Sequence, residues 1–410
     1  MRVLVVSQYF WPENFRINAI VESMVNRGIV VEVLTGKPNY PEGAVFSGYR
    51  IWGCQHELWN GAEIYRTPLF PRGKNSRFGL VINYISFVLF GAICGSWLVR
   101  NRRYDVVFVY GLSPILLAIP ALFIGWLKRK KVVVWIQDLW PESLSATGYV
   151  RNHSILCAVR QVVRFIYRRA ALLLVQSPAF VAPVRMLAAD TPIAYYPNSV
   201  DDTFAEPVSG EVPHLPGLGE GFSVMFAGNI GAAQAMDVIV DAASILKEQA
   251  DIHFVVLGDG SCREEMLREV QQRELTNVHL PGRFPVETMP GFMHQASALL
   301  VTLADQPIFT LTVPNKVQAY MAAGRPIIAC LNGEGARLVS EAGAGLASPA
   351  EDAQALADTI LRLYRLSPVE REMMGKNGRQ YYQEHFNHDH LVDQLIEHLR
   401  DVSQSRKGFL

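Results

Sequence analysis

Residues 224–234 read VMFAGNIGAAQ: four apolar residues, a Gly-x-x-Gly turn over Gly228-Asn229-Ile230-Gly231, then the small residues Ala232 and Ala233 before Gln234. A short all-apolar run suits a strand buried on both faces, and such strands belong to parallel sheets. A glycine turn between strand and helix leaves backbone N–H groups free at one point, a setting that favours an anion. The spacing differs from the six-residue dinucleotide fingerprint, so NAD is not expected. The theme returns at Gly258-Asp259-Gly260 and at Gly282-Arg283, each after an apolar run.

Working outward, Phe254–Leu257, Val278–Leu280, Ala298–Thr302 and Ile327–Ala329 read as further buried strands. Helices fit between them over Asp237–Gln249, Cys262–Arg273, Val317–Ala323 and Ala353–Leu366. Upstream, Val3–Ser7, Val30–Leu34, Val106–Val109, Val132–Ile136 and Leu172–Val175 repeat the pattern, with a helix over Asn18–Arg27 that Gly28 closes. The pattern breaks at YYPNSVDD (residues 195–202) and at a Gly/Pro-rich linker, Pro207–Gly221. The chain therefore reads as α/β, with two Rossmann-like doubly wound parallel-sheet domains at residues 1–200 and 201–385. A last polar helix is expected over Arg379–Val402. Ligands of such sheets bind outside the carboxyl ends of the strands, so two such domains are expected to frame one cleft.

The 410 residues are half hydrophobic and 19% charged, which excludes collagen-like and disordered chains. Net charge is zero, but residues 1–200 hold 22 Lys+Arg against 10 Asp+Glu, leaving 16 against 28 for the rest. The basic half is expected to face an anionic partner. Arg100–Arg103, Lys128–Lys131 and the helical stripe Arg160, Arg164, Arg168, Arg169 carry much of that charge. No nucleic-acid module accompanies it, so nucleic acid is not expected. Five scattered cysteines without a CxxC pair read as reduced, buried thiols of a cytosolic protein rather than a disulfide frame or a metal site. The apolar opening Val3–Val6 has no cationic leader region, so no signal peptide is expected. Gly79–Val99 is 21 residues without a charge, followed by Arg100, Arg102 and Arg103. Its length reaches a bilayer's thickness, but Asn83, Ser86 and Ser96 favour a buried or membrane-surface helix.

The rule of carboxyl ends selects the candidate residues. After the first strand comes Gln8-Tyr9-Phe10-Trp11-Pro12-Glu13-Asn14-Phe15-Arg16, with Glu13 and Arg16 either paired locally or closing over a substrate. Gln137-Asp138-Leu139-Trp140-Pro141-Glu142 follows the fourth strand, where a carboxylate needs a partner or a helix start. Thr312–Pro326 is the most informative stretch: Pro314 and Asn315 open a helix that Gly324 closes, and Lys316 lies in its first turn. A cation there opposes the helix dipole at a cost of about 0.3–1 kcal/mol, unless a diphosphate at that terminus reverses the local field. No H-E-x-x-H, G-x-S-x-G or Walker loop occurs.

In order, the motifs are the aromatic loop after the first strand, PNYPEG at 38–43, IQDLWPESL at 136–144, YPNSVD at 196–201, FAGNIGAAQ at 226–234 and VPNKVQAYMAAGRPI at 313–327. This chain resembles the family 4 glycosyltransferases, in particular a bacterial fucosamine-transferase-like subgroup of surface polysaccharide assembly. The resemblance implies the GT-B fold, metal-independent transfer with retention at the anomeric carbon, and no cofactor, the nucleotide-sugar being a substrate. It implies a UDP-linked donor, with an N-acetylated deoxysugar among the candidates, held by the C-terminal domain. The acceptor is expected to be a polyprenyl-diphosphate-linked saccharide of polysaccharide or O-antigen assembly, met by the N-terminal domain on the inner face of an anionic cytoplasmic membrane. A terminal helix over 386–410 is expected to cross back to the N-terminal domain.

Carried onto this sequence, the donor side comprises Gly228, Asn229, Gly231, Gln234, Gly258, Arg283, Pro314, Asn315 and Lys316. The acceptor side comprises Glu13, Asn14, Arg16, Asp138, Trp140 and Glu142, and the chemistry falls to Lys316, Asp138 and Glu13. The sequence departs from the family at Leu311 and Ala319, where many members carry two glutamates. It departs again at Asn229 and Gln234, where many carry Arg and Lys. The alternatives are a nucleotide-sugar epimerase of the same architecture and a non-catalytic membrane-docking scaffold.

Overall fold

The Val- and Leu-rich runs form two sheets, each the centre of a separate unit. The computed structural model describes residues 1–73, 77–146, 152–200, 202–205 and 212–405. One unit takes Met1–Pro197 and the stretch from Leu391, and the other takes Asn198–His390. Of the linker expected over Pro207–Gly221, residues 207–211 lie outside the described residues, as does Asp201 of YPNSVD.

The first unit runs β1 (Arg2–Val6), α1 (Arg16–Asn26), β2 (Val30–Thr35), β3 (Gln55–Trp59), β4 (Ala62–Arg66) and α2 (Arg77–Phe90). A π-helical turn (Gly91–Gly95) and α3 (Ser96–Leu98) continue α2, and then come β5 (Val106–Gly111), α4 (Ala118–Lys128), β6 (Val132–Ile136) and α5 (Glu142–Ala146). It closes with α6 (His153–Arg169), β7 (Leu172–Val175), α7 (Val181–Ala188) and β8 (Ile193–Tyr195). The strand order is β3-β4-β2-β1-β5-β6-β7-β8, parallel except for the β3–β4 hairpin at the edge. That hairpin and β8 were not expected. β3 alternates half-buried and exposed residues and so lacks an apolar run, and its Asn60-Gly61 turn, both residues at positive φ, is the sequence signal for it.

The second unit holds β9 (Phe222–Asn229), α8 (Met236–Ile245), β10 (Ile252–Asp259), α9 (Arg263–Gln272), β11 (Val278–Gly282), α10 (Met289–Gln295) and β12 (Ala298–Thr302). α11 (Pro307–Thr310), α12 (Asn315–Ala323), β13 (Ile327–Cys330), α13 (Glu334–Glu341), β14 (Gly345–Ser348), α14 (Ala353–Arg365) and α15 (Pro368–His385) complete it. Its all-parallel order is β11-β10-β9-β12-β13-β14. The order reverses between β9 and β12, as it does between β1 and β5 in the first sheet, and these reversals are where open α/β sheets leave room for a ligand.

The expected single helix over Arg379–Val402 is instead two helices, α15 and α16 (His388–Gln404), broken at Phe386-Asn387. α15 packs closely on α12: a Cβ at Gly375 would lie 2.1 Å from the Gly324 carbonyl oxygen. α16 has a different task. Its stripe Leu391, Val392, Leu395, Ile396, Leu399 is buried in the first unit's core, and Tyr196 Oη donates to the Leu391 carbonyl at 2.9 Å. The cysteines also differ from expectation, since only Cys330 is buried while Cys54 and Cys157 are exposed and Cys94 and Cys262 half-buried.

Candidate active site

In the second unit, the site begins with two glycines in register on β9 and β10, Gly228 and Gly258. Their φ values are 141° and 140°, a region that side chains rarely adopt. A Cβ at Gly258 would lie 1.8 Å from the Gly228 carbonyl oxygen, so the strand ends close on each other only as glycines. A Cβ at Gly228 would lie 2.6 Å from Lys316 Cε and 2.9 Å from Nζ. The missing side chain of Gly228 therefore leaves the space that the lysine fills.

Lys316 enters from the first turn of α12, whose N-cap is Pro314. It is not the exposed first-turn lysine that its position allows. Its Nζ is buried, lies 3.5 Å from the centre of the Phe226 ring, and has no hydrogen-bond partner among the described residues. Burial pulls its pKa from the usual 10.5 down to about 7. A buried ammonium answered only by a ring face is costly, and an anion arriving there would be strongly welcomed. Beside it Asn315 Oδ1 accepts from Asn198 Nδ2 at 3.1 Å, which brings Asn198 to the start of α12.

The glycine turn itself is tied down. Gly231 does not open a helix directly: a short 3₁₀ turn (Ala232–Gln234) and Ala235 at φ 45° precede α8. Thr302 Oγ1 donates to the Gln234 carbonyl at 2.6 Å, and Ala304 N donates to the Ala233 carbonyl at 3.0 Å. The Asn229 and Gln234 side chains meet 3.3 Å apart on the exposed side. Arg283 is set apart from these groups. It follows the edge strand β11, with β10 between it and β9, and is exposed. Leu311 and Ala319 are half-buried. A Cβ at Gly335 would lie 3.1 Å from Pro314 Cδ, so the first turn of α13 adjoins the start of α12; the Glu334 carboxylate in that turn is held by Arg337 at 2.9 Å.

The first unit gathers a different cluster at the ends of β1, β5 and β6. The Asp138 carboxylate accepts from Ser113 Oγ at 2.6 Å, and Ser113 Oγ accepts from Trp140 Nε1 at 3.0 Å. Burial raises the Asp138 pKa above the usual carboxylate value, and the Ser113 hydrogen bond opposes it. Arg16 lies beside Tyr110 at the end of β5, and burial lowers its pKa. Ser113 and Tyr110 belong to no motif; only their position after a strand could have marked them.

The other residues expected on the acceptor side are held in different ways. Glu13 is 2% exposed and accepts backbone N–H bonds from Asn39 and Tyr40 at 2.7 Å and from Phe10 at 3.3 Å. It braces PNYPEG against the aromatic loop, and its carboxylate oxygens accept from those backbone groups rather than from Arg16. Burial outweighs those donors and lifts its pKa to about 7. Trp140 is buried, and Glu142 points to Arg160 of α6 in an exposed ion pair of 3.0 Å. That pair draws one cation out of the basic stripe, and Arg168 is bonded to the Leu187 carbonyl. Asn14 is exposed.

Residues 14–199 match the family described as Glycosyl transferase 4-like domain, and residues 221–365 match Glycosyl transferases group 1. The chain is 28% identical over 327 residues to a probable glycosyltransferase of Pseudomonas aeruginosa, WbjE, covering 76% of this chain and 80% of that one. It is 22% identical over 344 residues to WcaI of Escherichia coli K12, a putative colanic acid biosynthesis glycosyl transferase, covering 79% and 82%. Among solved structures, sucrose-phosphate synthase of Thermosynechococcus elongatus superposes with a TM-score of 0.73 at 18% identity, covering 98% of both chains. An Anabaena protein solved with UDP and glucose gives 0.68 at 15% identity, covering 98% of this chain and 100% of that one. With each parallel-sheet unit matched by a glycosyltransferase family model, the chain belongs to the family 4 glycosyltransferases and has the GT-B fold.

Proposed function

We propose that this glycosyltransferase moves a sugar from a UDP-linked donor to a polyprenyl-diphosphate-linked saccharide in surface polysaccharide assembly, at the inner face of the membrane. The observation that carries the donor half is the buried, unpartnered Lys316 ammonium at the β9/β12 reversal, next to Gly228. A nucleoside diphosphate placed there gives that cation its counter-charge. As the C1–O bond of the donor breaks, the leaving diphosphate gains negative charge, and a donor already aimed at it lowers the barrier without reorganising. Transfer is read as retaining: the acceptor oxygen joins C1 on the face the diphosphate leaves, and its proton goes to the departing phosphate oxygen. Lys316 meets the charge without a metal or a cofactor. Asp138, held by Ser113, orients the acceptor hydroxyl. The UDP of the Anabaena neighbour and the colanic acid role in the name of WcaI favour this donor and this kind of pathway.

Thermal stabilisation by a panel of UDP- and GDP-sugars tests the donor, since a ligand at 100 times its Kd adds about 2.7 kcal/mol. Lys316→Ala is then expected to cut turnover at least about tenfold, more than about 1.4 kcal/mol of transition-state stabilisation. Unchanged kinetics in that variant would remove Lys316 from the reaction. Donor binding with no transfer to any lipid-linked saccharide would leave a binding protein instead of an enzyme.

A further inference from the structure

One surface of the first unit is apolar, long and uncovered. Over Phe78–Leu98 the mean hydropathy reaches 2.0, yet only 28% of that window is buried. Its exposed side chains run along one line at spacings of three and four: Phe78, Val81, Ile85, Leu89, Ile93 and Trp97. An α-helix alone would let that line drift, because four residues overshoot one turn. The wider π-helical turn at Gly91–Gly95 takes up the excess before Trp97. α4 lies alongside, since a Cβ at Gly91 would be 3.2 Å from Pro120, and it adds exposed Phe123 and Trp126, the latter 67% exposed.

The charge around this surface names its occupant. Lys128 Nζ, at the end of α4, donates to the carbonyls of Arg100 at 2.6 Å and Arg102 at 2.9 Å, so the two helices end together. Exposed Arg100, Arg103 and Arg129 gather there, and Arg100 stacks 4.1 Å over the Trp97 ring. Between Glu63 and Asp138 the only acidic residue is Asp105, which already accepts from the Arg2 amide. An apolar stripe ending in tryptophan and a cationic rim matches an anionic leaflet: tails below, headgroups at the ring level, phosphates at the arginines. A second copy of the chain would bring cations against cations.

The opposite side of α2 leads to the acceptor cluster. Asn83 is buried, accepts from Gln8 Nε2 at 2.7 Å and from Tyr9 Oη at 3.3 Å, and donates to the Phe70 carbonyl at 2.6 Å. Gln8 and Tyr9 begin the loop that leads to Arg16.

We propose that α2, its π-helical turn and α4 form an interfacial anchor. It lies in the surface of an anionic bilayer and, through Asn83, holds the acceptor loop at the membrane. The proposal deepens the reading of a lipid-borne acceptor and rests on it. The test is flotation of the full chain with vesicles of phosphatidylglycerol and phosphatidylcholine in equal parts, and with phosphatidylcholine alone. The wild type is expected to float with the anionic vesicles and less so as salt rises. Ile93→Glu with Trp126→Glu should weaken flotation at least about tenfold, with melting temperature and transfer to a water-soluble short-chain acceptor unchanged. Arg103→Glu with Arg129→Glu should remove the preference for the anionic vesicles and leave the weaker binding to phosphatidylcholine. Flotation of the Glu double variant equal to wild type overturns the anchor. So does a stable dimer in light scattering that this variant dissolves, which would make the face a self-interface. Flotation without transfer to any acceptor would keep the anchor and sink the enzymatic reading. Transfer to the short acceptor without flotation would do the reverse.

Discussion

The two clusters at the strand ends are built on opposite principles. In the first unit the Asp138 carboxylate already has a partner: Ser113 holds it, and Trp140 holds Ser113. In the second, Lys316 is desolvated with only the Phe226 ring beneath its ammonium. A satisfied cluster is pre-organised and can accept a neutral hydroxyl at little cost. An unsatisfied charge stores a cost that only an oppositely charged ligand relieves. On the proposed reading, the contrast separates an acceptor side, which positions, from a donor side, which neutralises.

The sharpest way to break that contrast is kinetic. Asp138→Asn keeps the shape and the Ser113 contact but loses the carboxylate. If Asp138 orients and polarises the acceptor hydroxyl, kcat should fall about 100-fold, with UDP affinity by calorimetry unchanged. Loss of UDP affinity in this variant would mean that the two clusters do not divide the work.

A pH series probes the lysine directly. With its pKa near 7, Lys316 loses its proton as pH rises above neutrality. A bound diphosphate restores that proton, so binding in this range takes one up. UDP affinity should therefore weaken up to about tenfold per pH unit above about 7 and be flat well below it. In Lys316→Met the slope should vanish. A wild-type affinity independent of pH between 7 and 9 would contradict the buried ammonium as the counter-charge.

The stored cost should also appear in stability. A lysine whose folded pKa is depressed destabilises fully below that pKa, and the penalty fades as pH rises toward the unfolded value of 10.5. Lys316→Met keeps most of the volume and removes the charge. The ligand-free variant should gain about 1–3 kcal/mol at pH 6 and progressively less toward pH 10, read by chemical denaturation. A variant less stable than wild type at pH 6 would mean that the ammonium is better solvated than its surroundings indicate.

Much of this was legible in the chain. Val132–Ile136 is a run of five apolar residues and became a strand with those bounds, because nothing but a two-sided core can take it. Lys316 stood out because a first-turn cation is unfavourable without a ligand. The rest depended on direction, which sequence does not carry. Glu13 and Asp138 look alike as carboxylates after strands, yet one faces inward to three backbone N–H groups and the other holds a serine. Ser113 has no motif around it. The break at Phe386-Asn387 contains neither glycine nor proline, so only the transfer of α16 from one core to the other explains it.

The smallest expected effect tests the boundary of the acceptor cluster. Glu142 shares the DLWPES segment with Asp138 and Trp140, and proximity in sequence invites a role. Its carboxylate is nonetheless held by Arg160 on an exposed face, with both side chains near half exposure. Exposed pairs of this kind contribute about 0–1 kcal/mol, and salt screens them. Glu142→Gln should change stability by about 0.5 kcal/mol or less and leave kcat/KM within about twofold. Asp138→Asn, four residues away, is expected to do far more. If the two variants were equally impaired, the cluster would extend across α5 to the basic stripe of α6. Arg160 would then be a substrate contact, and Arg160→Gln should reproduce the loss.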